Sequence, residues 1–218
     1  MSVINPADLG AIIVVNLVGA ASPGPDIILI TRTATRSRRH ALATVAGIQV
    51  GVLMWCTLTV LGAAALLTAF PWVLEFIQII GGAWLMYLGA SSVRGGLIER
   101  HNPPRDTSEA EARLGRLRHS FAKGLTTNLS NPKIVLFLAA LVAPLLPPNP
   151  SWAVSMIVIV ALWIPSMLLQ AGLATLVSTH AVRNRLLRAG PYIDIAAGVF
   201  FVIAAVVLVW RGVAGLLN

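Results

Sequence analysis

Charged residues are scarce in this sequence, and their scarcity excludes an ordinary soluble domain. Only 11% of the 218 residues are Asp, Glu, Lys or Arg, whereas soluble proteins carry about 25%. Hydrophobic residues make up 57% of the chain, and its mean hydropathy is +0.82. The composition therefore predicts an integral membrane protein, with the lipid bilayer as its surroundings.

Cysteine and histidine are also sparse. The single cysteine, Cys56, excludes an internal disulfide framework and a cysteine-based metal cluster, and we expect it to be a small packing residue. The histidines lie in or beside polar connections, and no nucleophile–base or metal-ligand set falls within the apolar stretches: His40, His101, His119 and His180. An intramembrane enzyme is therefore disfavoured, and no cofactor or metal is expected. The N-terminus lacks a basic stretch followed by a cleavage site, so no cleavable signal peptide is expected.

Long apolar stretches are abundant. A helix needs about 20 mostly apolar residues to cross a bilayer, and six stretches of adequate length can be recognised: roughly 7–31, 41–67, 72–93, 121–146, 151–178 and 192–215. We expect an all-α protein with six transmembrane helices, built as one transporter domain over 1–218. Its parts are three helices in 1–93, a charged cytoplasmic connection at 94–120 and three helices in 121–218.

Positive charge is concentrated in alternate connections. Of the 16 Lys and Arg residues, four lie at 32–39, seven at 94–123 and three at 183–188, whereas the connections TAFPW and PPNPS have none. By the positive-inside rule, the basic connections are cytoplasmic and both termini lie outside the cytoplasm. The net charge of +8 thus reflects membrane topology, and nucleic acid is not an expected partner.

The first apolar stretch is interrupted by SPGPD, residues 22–26. Pro25 cannot donate a backbone hydrogen bond and its ring clashes with the carbonyl of Ala21, and Pro23 does the same to the carbonyl of Gly19. Freed carbonyls are tolerated at membrane depth only where protein or a water-filled cavity satisfies them. The 13 residues at 9–21 would form about 20 Å of helix, so the break is predicted in the inner third of the membrane, followed by a half-helix.

A second interruption occurs in NLSNPKIVLF, where Pro132 precedes Lys133. PDIIL (25–29) and PKIVL (132–136) match in pattern, one with an acid and the other with a base. Three apolar stretches separate each break from the corresponding place in the other half, and an odd number raises the alternative of two inverted three-helix halves. Ideal inversion would place the motifs at opposite depths, whereas hydropathy places both near the cytoplasmic side, and both interpretations stay open.

The charged residues at the two breaks have a purely structural interpretation. Asp26 could cap the half-helix that follows it, where the macrodipole favours a carboxylate. Ser130 or Asn131 could be an N-cap with Pro132 at the first helical position, and Lys133 could belong to the inner positive belt. The dipole repels a cation in a first turn, so Lys133 would need a carboxylate partner, the membrane interface or an anionic ligand.

In the functional interpretation, the two breaks lie opposite each other and form two walls of one cavity. Asp26, with freed carbonyls such as that of Ala21, would hold an α-ammonium, while Lys133 and exposed amides would hold an α-carboxylate. The sequence thus predicts a site for a free amino acid or a close relative, formed by Pro23, Gly24, Pro25, Asp26, Gln49, Asn131, Pro132 and Lys133. A carboxylate in a partly dry cavity binds a proton more readily, so Asp26 is the candidate for proton coupling.

Other polar and small residues carry weaker signals. Gly47 and Gly51 in GIQVG lie four residues apart on one helix face, a spacing that favours close helix packing. Asn16 and Asn128 are polar at membrane depth and are expected to satisfy freed backbone groups. Asp194 lies near the end of an apolar stretch, where solvation is easy, and no role is expected for it.

These motifs resemble the LysE/RhtB superfamily of bacterial amino-acid exporters. ASPGPDIILITRTATRSRRHALATVAGIQVG is similar to the family's P-G-P-[ND] motif, basic connection and G-I-x-x-G helix, GGAWLMYLG to its third span, and FAKGLTTNLSNPKIVLFLAALV to its second-half signature. The resemblance implies an exporter of the bacterial cytoplasmic membrane, driven by the proton gradient and homodimeric. Family motif residues carry over as Pro23, Gly24, Pro25, Asp26, Gly47, Gly51, Asn131, Pro132 and Lys133. Many members have asparagine where this chain has Asp26. The alternative function is a small membrane assembly or channel-like protein without active transport.

Overall fold

The computed structural model describes residues 5–22, 24–63, 72–101, 107–138, 150–179, 182 and 189–217, and every regular element within these ranges is helical. In chain order the helices are α1 (Pro6–Ala21), α2 (Pro25–Ala34), α3 (Arg38–Leu58), which continues into a π-helical turn (Thr59–Ala63), α4 (Trp72–His101), α5 (Thr107–Ala112), α6 (Leu117–Leu129), α7 (Pro132–Phe137), α8 (Trp152–Val177) and α9 (Gly190–Leu217).

Several of these helices are long and apolar enough to cross a membrane. Four segments pass this test separately: Arg38–Gly62, Glu75–His101, Trp152–Val177 and Gly190–Leu217. Helices α1 and α2 pass it together, with a bend of 60° between them, which raises the number to five. The prediction of an all-α membrane protein is therefore confirmed for the described residues. The remaining predicted span, 121–146, falls partly outside the described residues.

The local sequence explains where many helices begin. Four helices follow a residue whose side-chain oxygen accepts a backbone N–H of the first turn, which satisfies an otherwise unpaired amide: Asn5, Ser37, Asn131 and Ser151. Three begin with a proline, whose fixed φ suits the first helical position: Pro6, Pro25 and Pro132. Asn131 is thus the N-cap of α7, and it is one of the two N-cap residues that the sequence suggested.

Helices α4 and α9 make the most extensive helix–helix contact and run antiparallel. Gly82, Gly89 and Gly96, spaced by seven residues on α4, each face the backbone of α9. A Cβ added at Gly89 would lie 2.7 Å from the carbonyl oxygen of Gly198, and a Cβ at Gly198 would lie 2.7 Å from that of Gly89. The absence of side chains at these positions lets the two backbones touch.

Helices α1, α2, α3, α7 and α8 surround a second core. α3 runs parallel to α6, since His40 contacts Ser120 near the start of the pair and Gly51 packs on Asn128 near its end. Gly47 and Gly124 each face the backbone of the other helix, so the two backbones touch. Fully buried side chains from several of these helices meet here, and the predicted packing residue Cys56 is among them: Ile12, Ile30, Ile48, Cys56, Leu138 and Leu162. This packing brings the α1–α2 and α6–α7 junctions together in the interior.

Candidate functional site

The ammonium of Lys133, in the first turn of α7, binds the end of α1. Its Nζ donates hydrogen bonds to the carbonyl oxygens of Gly19 at 3.2 Å and Ser22 at 2.7 Å. Gly19 precedes Pro23 by four residues, so its carbonyl has no helical N–H donor. The end of a helix carries the negative pole of the macrodipole, which offsets the repulsion of Lys133 by its own helix. These carbonyls were not among the three partners that the sequence suggested, although one of the three, a carboxylate, is also present: Asp26 lines a cavity together with Lys133 and attracts the ammonium.

Asp26, in the first turn of α2, makes the reciprocal contact with α6. Its Oδ2 accepts a hydrogen bond of 2.8 Å from the side-chain amide of Asn128, which is fully buried one residue before the end of α6. The other oxygen, Oδ1, is buried without a partner of hydrogen-bond geometry among the described residues, and the side chain of Asn131 lies close enough to stabilise the carboxylate. Each charged residue therefore touches the end of the helix that precedes the other junction.

Asp26 and Lys133 line one cavity of about 50 Å³. This volume holds a few water molecules and is well below the about 300–1,000 Å³ of pockets for drug-sized ligands. The remaining polar wall consists of side chains or backbone of Asn16, Ser22, Gly24, Asn131, Ser166 and Gln170. In the described part of the chain, no three His, Cys, Asp or Glu side chains are arranged to hold a metal ion. The wall thus offers one carboxylate, one ammonium and several neutral polar groups.

The residues predicted for the site divide into groups. Four of the eight line the cavity: Gly24, Asp26, Asn131 and Lys133. Two are the first residues of the adjoining helices: Pro25 and Pro132. Pro23 lies outside the described residues. Gly24 packs directly on the lysine, since a Cβ added there would lie 3.3 Å from Lys133 Nζ.

Gln49, the eighth predicted residue, stands behind the cavity wall. Its side-chain amide donates to Ser166 Oγ at 3.3 Å and to Gln170 Oε1 at 3.0 Å, and both of these partners line the cavity. Sequence reasoning missed Ser166 and Gln170. Their signal was two polar residues spaced by four in an otherwise apolar helix, a spacing that puts both on one face.

The two asparagines at membrane depth behave differently from each other. Asn16 donates a hydrogen bond of 2.6 Å to the backbone carbonyl of Leu162, as expected of a residue that satisfies a backbone group. The same expectation for Asn128 is wrong, because its amide donates to the carboxylate of Asp26. Asn128 also packs against Gly51, where an added Cβ would lie 3.0 Å from Asn128 Cγ. The small residue Gly51 therefore leaves room for the partner of Asp26.

A cluster of ion pairs ties the far end of α2 to α4 and α9. Arg32 binds Asp194 through Nε (2.5 Å) and Nη2 (3.1 Å) and donates to Ser92 Oγ at 2.9 Å. Arg36 also binds Asp194 and pairs with Glu99 at 2.5 Å. Asp194 is only 1% exposed, so the expectation of easy solvation is wrong. Two guanidinium groups compensate its buried charge, as a buried carboxylate requires.

The chain matches one family model and several bacterial efflux proteins. The family model described as LysE type translocator matches residues 17–212. The threonine efflux protein of Salmonella typhi is 29% identical over 188 residues, which are 86% of this chain and 90% of that protein. The threonine efflux protein of Escherichia coli K12 is 37% identical over 128 residues (58% and 60%). The homoserine/homoserine lactone efflux protein of Salmonella typhimurium is 32% identical over 158 residues (71% and 73%). No solved structure matches the chain significantly.

Proposed function

The chain belongs to the LysE type translocator family, and we propose that it is a secondary transporter that exports a free amino acid or a close derivative from the cytoplasm. One observation carries the proposal: the Asp26 carboxylate and the Lys133 ammonium line the same interior cavity. A zwitterionic amino acid presents the complementary pair of charges. The relatives named for threonine and homoserine efflux make small hydroxylated amino acids the first candidates.

The unused hydrogen-bonding capacity of the two charged residues supports this mode of binding. Asp26 Oδ1 has no partner among the described residues and can accept a hydrogen bond from an α-ammonium. An ammonium has three donors, and Lys133 uses two of them on Gly19 and Ser22. Its third donor is available to an α-carboxylate. Ser166 and Gln170, on the α8 side of the cavity, would face the substrate side chain.

Transport requires a second conformation in which the cavity is larger. We propose that α1 and α2 form one broken span, that α6 and α7 begin another over 121–146, and that the chain has six spans with both termini outside the cytoplasm. The packing supports two inverted halves, because α3 packs on α6 while α8 packs on α1. An inverted repeat would relate the α3–α6 contact to the α8–α1 contact, and it would exchange α4 with α9 within their own pair. One half could then rock against the other around the cavity.

Export against a gradient needs an energy source, and we propose proton antiport with Asp26 as the proton carrier. Moving one charge across the membrane is worth about 2.3 kcal/mol per 100 mV, enough for modest accumulation. An imposed pH gradient should accelerate substrate flux in proteoliposomes, and an uncoupler should abolish that acceleration. Flux that responds to neither the pH gradient nor the uncoupler would leave the transporter without proton coupling.

A homodimer stays a prediction, checked by the mass of the purified protein in a bilayer nanodisc.

The decisive experiment is counterflow in proteoliposomes against a panel of twenty labelled amino acids. We expect saturable uptake of at least one of them by the wild-type protein. Asp26→Asn and Lys133→Ala should each lower the kcat/KM for that substrate by at least about tenfold, the value of one charge-assisted hydrogen bond. Asp8→Asn, which removes an exposed acid from the first turn of α1, is the matched control.

Two results would count against the proposal. Unchanged kinetics in both Asp26→Asn and Lys133→Ala would remove the proposed site. Flux that rises linearly with concentration, or no flux at all, would favour the channel-like or structural alternative.

A further inference from the structure

A larger cavity, of about 220 Å³, adjoins the ion-pair cluster. We call the cavity lined by Asp26 and Lys133 the central cavity. Helix α2 connects the two cavities, because Asp26 lines the central one and Leu29, one turn later, lines the larger one. Five of the polar residues that line the larger cavity are basic: Arg32, Arg36, Arg113, His119 and Lys123. We call it the basic cavity. The arginine distribution assigns this end of the helices to the cytoplasm.

Most of the positive charge around the basic cavity is already compensated. Arg32 and Arg36 share Asp194, and Arg36 also binds Glu99. Arg113 is paired with Glu99 at 3.4 Å and with a second glutamate in α5. Acidic residues of the protein itself therefore neutralise the three arginines that line the basic cavity.

Lys123 is the exception. It is partly buried in α6, and among the described residues no carboxylate lies within 4.0 Å of its ammonium and the ammonium makes no hydrogen bond. Asp194 attracts it only from a greater distance. A partly buried cation loses hydration and needs a counter-charge to recover it. Arg32 and Arg36 repel the ammonium, and Asp194, which they share, attracts it. An anionic ligand in direct contact with Lys123 would supply the counter-charge that the protein does not place there.

We infer that the basic cavity is a first binding site for the carboxylate of the transported amino acid, with Lys123 as its counter-ion. The inference rests on the proposed export function and extends it to the step before the central cavity is reached. Ser120, three residues before Lys123 on α6, lines the same wall, and its Oγ is hydrogen-bonded to His40 Nδ1 at 2.8 Å. Exchange of the bound carboxylate from Lys123 to Lys133 would move the substrate past Leu29.

The spacing along α2 suits such a transfer. Asp26, Leu29 and Thr33 lie on one face of the helix because they are separated by three and four residues. Asp26 and Thr33 are thus about 10 Å apart along the axis. Leu29 lies between them on this face, is 1% exposed and lines the basic cavity. Displacement of its side chain would open a path along α2 between the two cavities.

The chain offers a direct test of binding, because Lys123 and Lys133 are its only lysines. Full-length protein labelled biosynthetically with ¹³Cε-lysine gives two lysine signals in nanodiscs, and Lys123→Arg identifies which is which. We expect sodium acetate to shift the Lys123 signal saturably, and acetamide, its neutral analogue, to leave it in place. An acetate response equal to that of acetamide would overturn the inference. A saturable response to inorganic phosphate alone would also overturn it, and would assign the site to phosphate chemistry such as a lipid headgroup.

Transport kinetics test the role of the site. Lys123→Gln should raise the KM of the wild-type substrate about tenfold, with a smaller change in the maximal rate, because one charge-assisted contact is lost from initial binding. Lys123→Arg should retain most of the affinity. Arg118→Gln, which removes an exposed charge from the same helix, should leave the KM unchanged. An unchanged KM in an active Lys123→Gln variant would overturn this inference alone, whereas a wild-type protein that transports no amino acid would overturn the proposed function.

Discussion

The carboxylate of Asp26 and the side-chain amide of Asn128 share a hydrogen bond of 2.8 Å across 102 residues of sequence. The contact joins the start of α2 to the end of α6, and Lys133 makes the counterpart contact from the start of α7 to the end of α1. The two helix junctions therefore hold each other in place. Any motion that opens the cavity between them must break or stretch at least one of these contacts.

Substitution of Asn128, the amide partner of Asp26, should show how much stability the protein loses when a buried carboxylate has no hydrogen-bond donor. In Asn128→Leu the Oδ2 atom of Asp26 loses its donor, and we expect a loss of about 1–3 kcal/mol or more in stability together with reduced transport. The thermal unfolding midpoint in nanodiscs measures the first effect and counterflow the second. In an Asp26→Asn background the same substitution should cost less, since a neutral amide is easier to leave unpaired. Equal losses in both backgrounds would show that the contact is energetically unimportant.

Gly51→Ala should impair transport without unfolding the protein. The added Cβ would lie 3.0 Å from Asn128 Cγ, so Asn128 must move and its hydrogen bond to Asp26 weakens. Gly172→Ala in α8 is the matched control, because nothing lies within 4 Å of its added Cβ. That substitution should be neutral or stabilise the helix by up to about 1 kcal/mol. If both variants transport equally well, Gly51 does not position Asn128.

Asp194→Asn should destabilise the fold strongly. The substitution removes the carboxylate that compensates Arg32 and Arg36, and breaking a buried ion pair by removal of one partner costs about 3–5 kcal/mol. We expect a lower unfolding midpoint, measured by thermal denaturation in nanodiscs. Asp8→Asn, at an exposed position, supplies the control for loss of one acid. A midpoint like that of the control would mean that Glu99 alone compensates both arginines.

Gly89→Ala should loosen the α4–α9 pair. The added methyl group would lie 2.7 Å from the carbonyl oxygen of Gly198, a distance that forces the backbones apart. Gly95→Ala, six residues later on the same helix, meets nothing within 4 Å. We therefore expect a lower unfolding midpoint for the first variant and an unchanged or higher midpoint for the second. Similar midpoints would show that α4 and α9 can separate without cost.

Local features of the fold could be predicted from the sequence because they depend on residues that are neighbours in the chain. Membrane insertion reflects the summed transfer free energies of about 20 consecutive residues, so hydropathy alone indicated the all-α membrane class. Proline fixes φ and lacks an N–H, which is why α2 and α7 begin at Pro25 and Pro132. Asn131 as N-cap follows from the same local logic.

The partners of the buried polar groups were decided only by tertiary structure. Leucine and isoleucine face lipid as readily as core, so hydropathy does not reveal which side of a membrane helix packs inward. For this reason the sequence placed Asp194 near solvent, although α4 and α2 bury it against Arg32 and Arg36. It also offered Lys133 three other partners, because the carbonyls at the end of α1 become accessible to it only when α1 and α7 are packed together. By itself the sequence determined the all-helical membrane class and where several of the described helices begin, since these depend on local free energies. Which charges meet inside depended on packing between segments that lie 63 to 162 residues apart in the sequence.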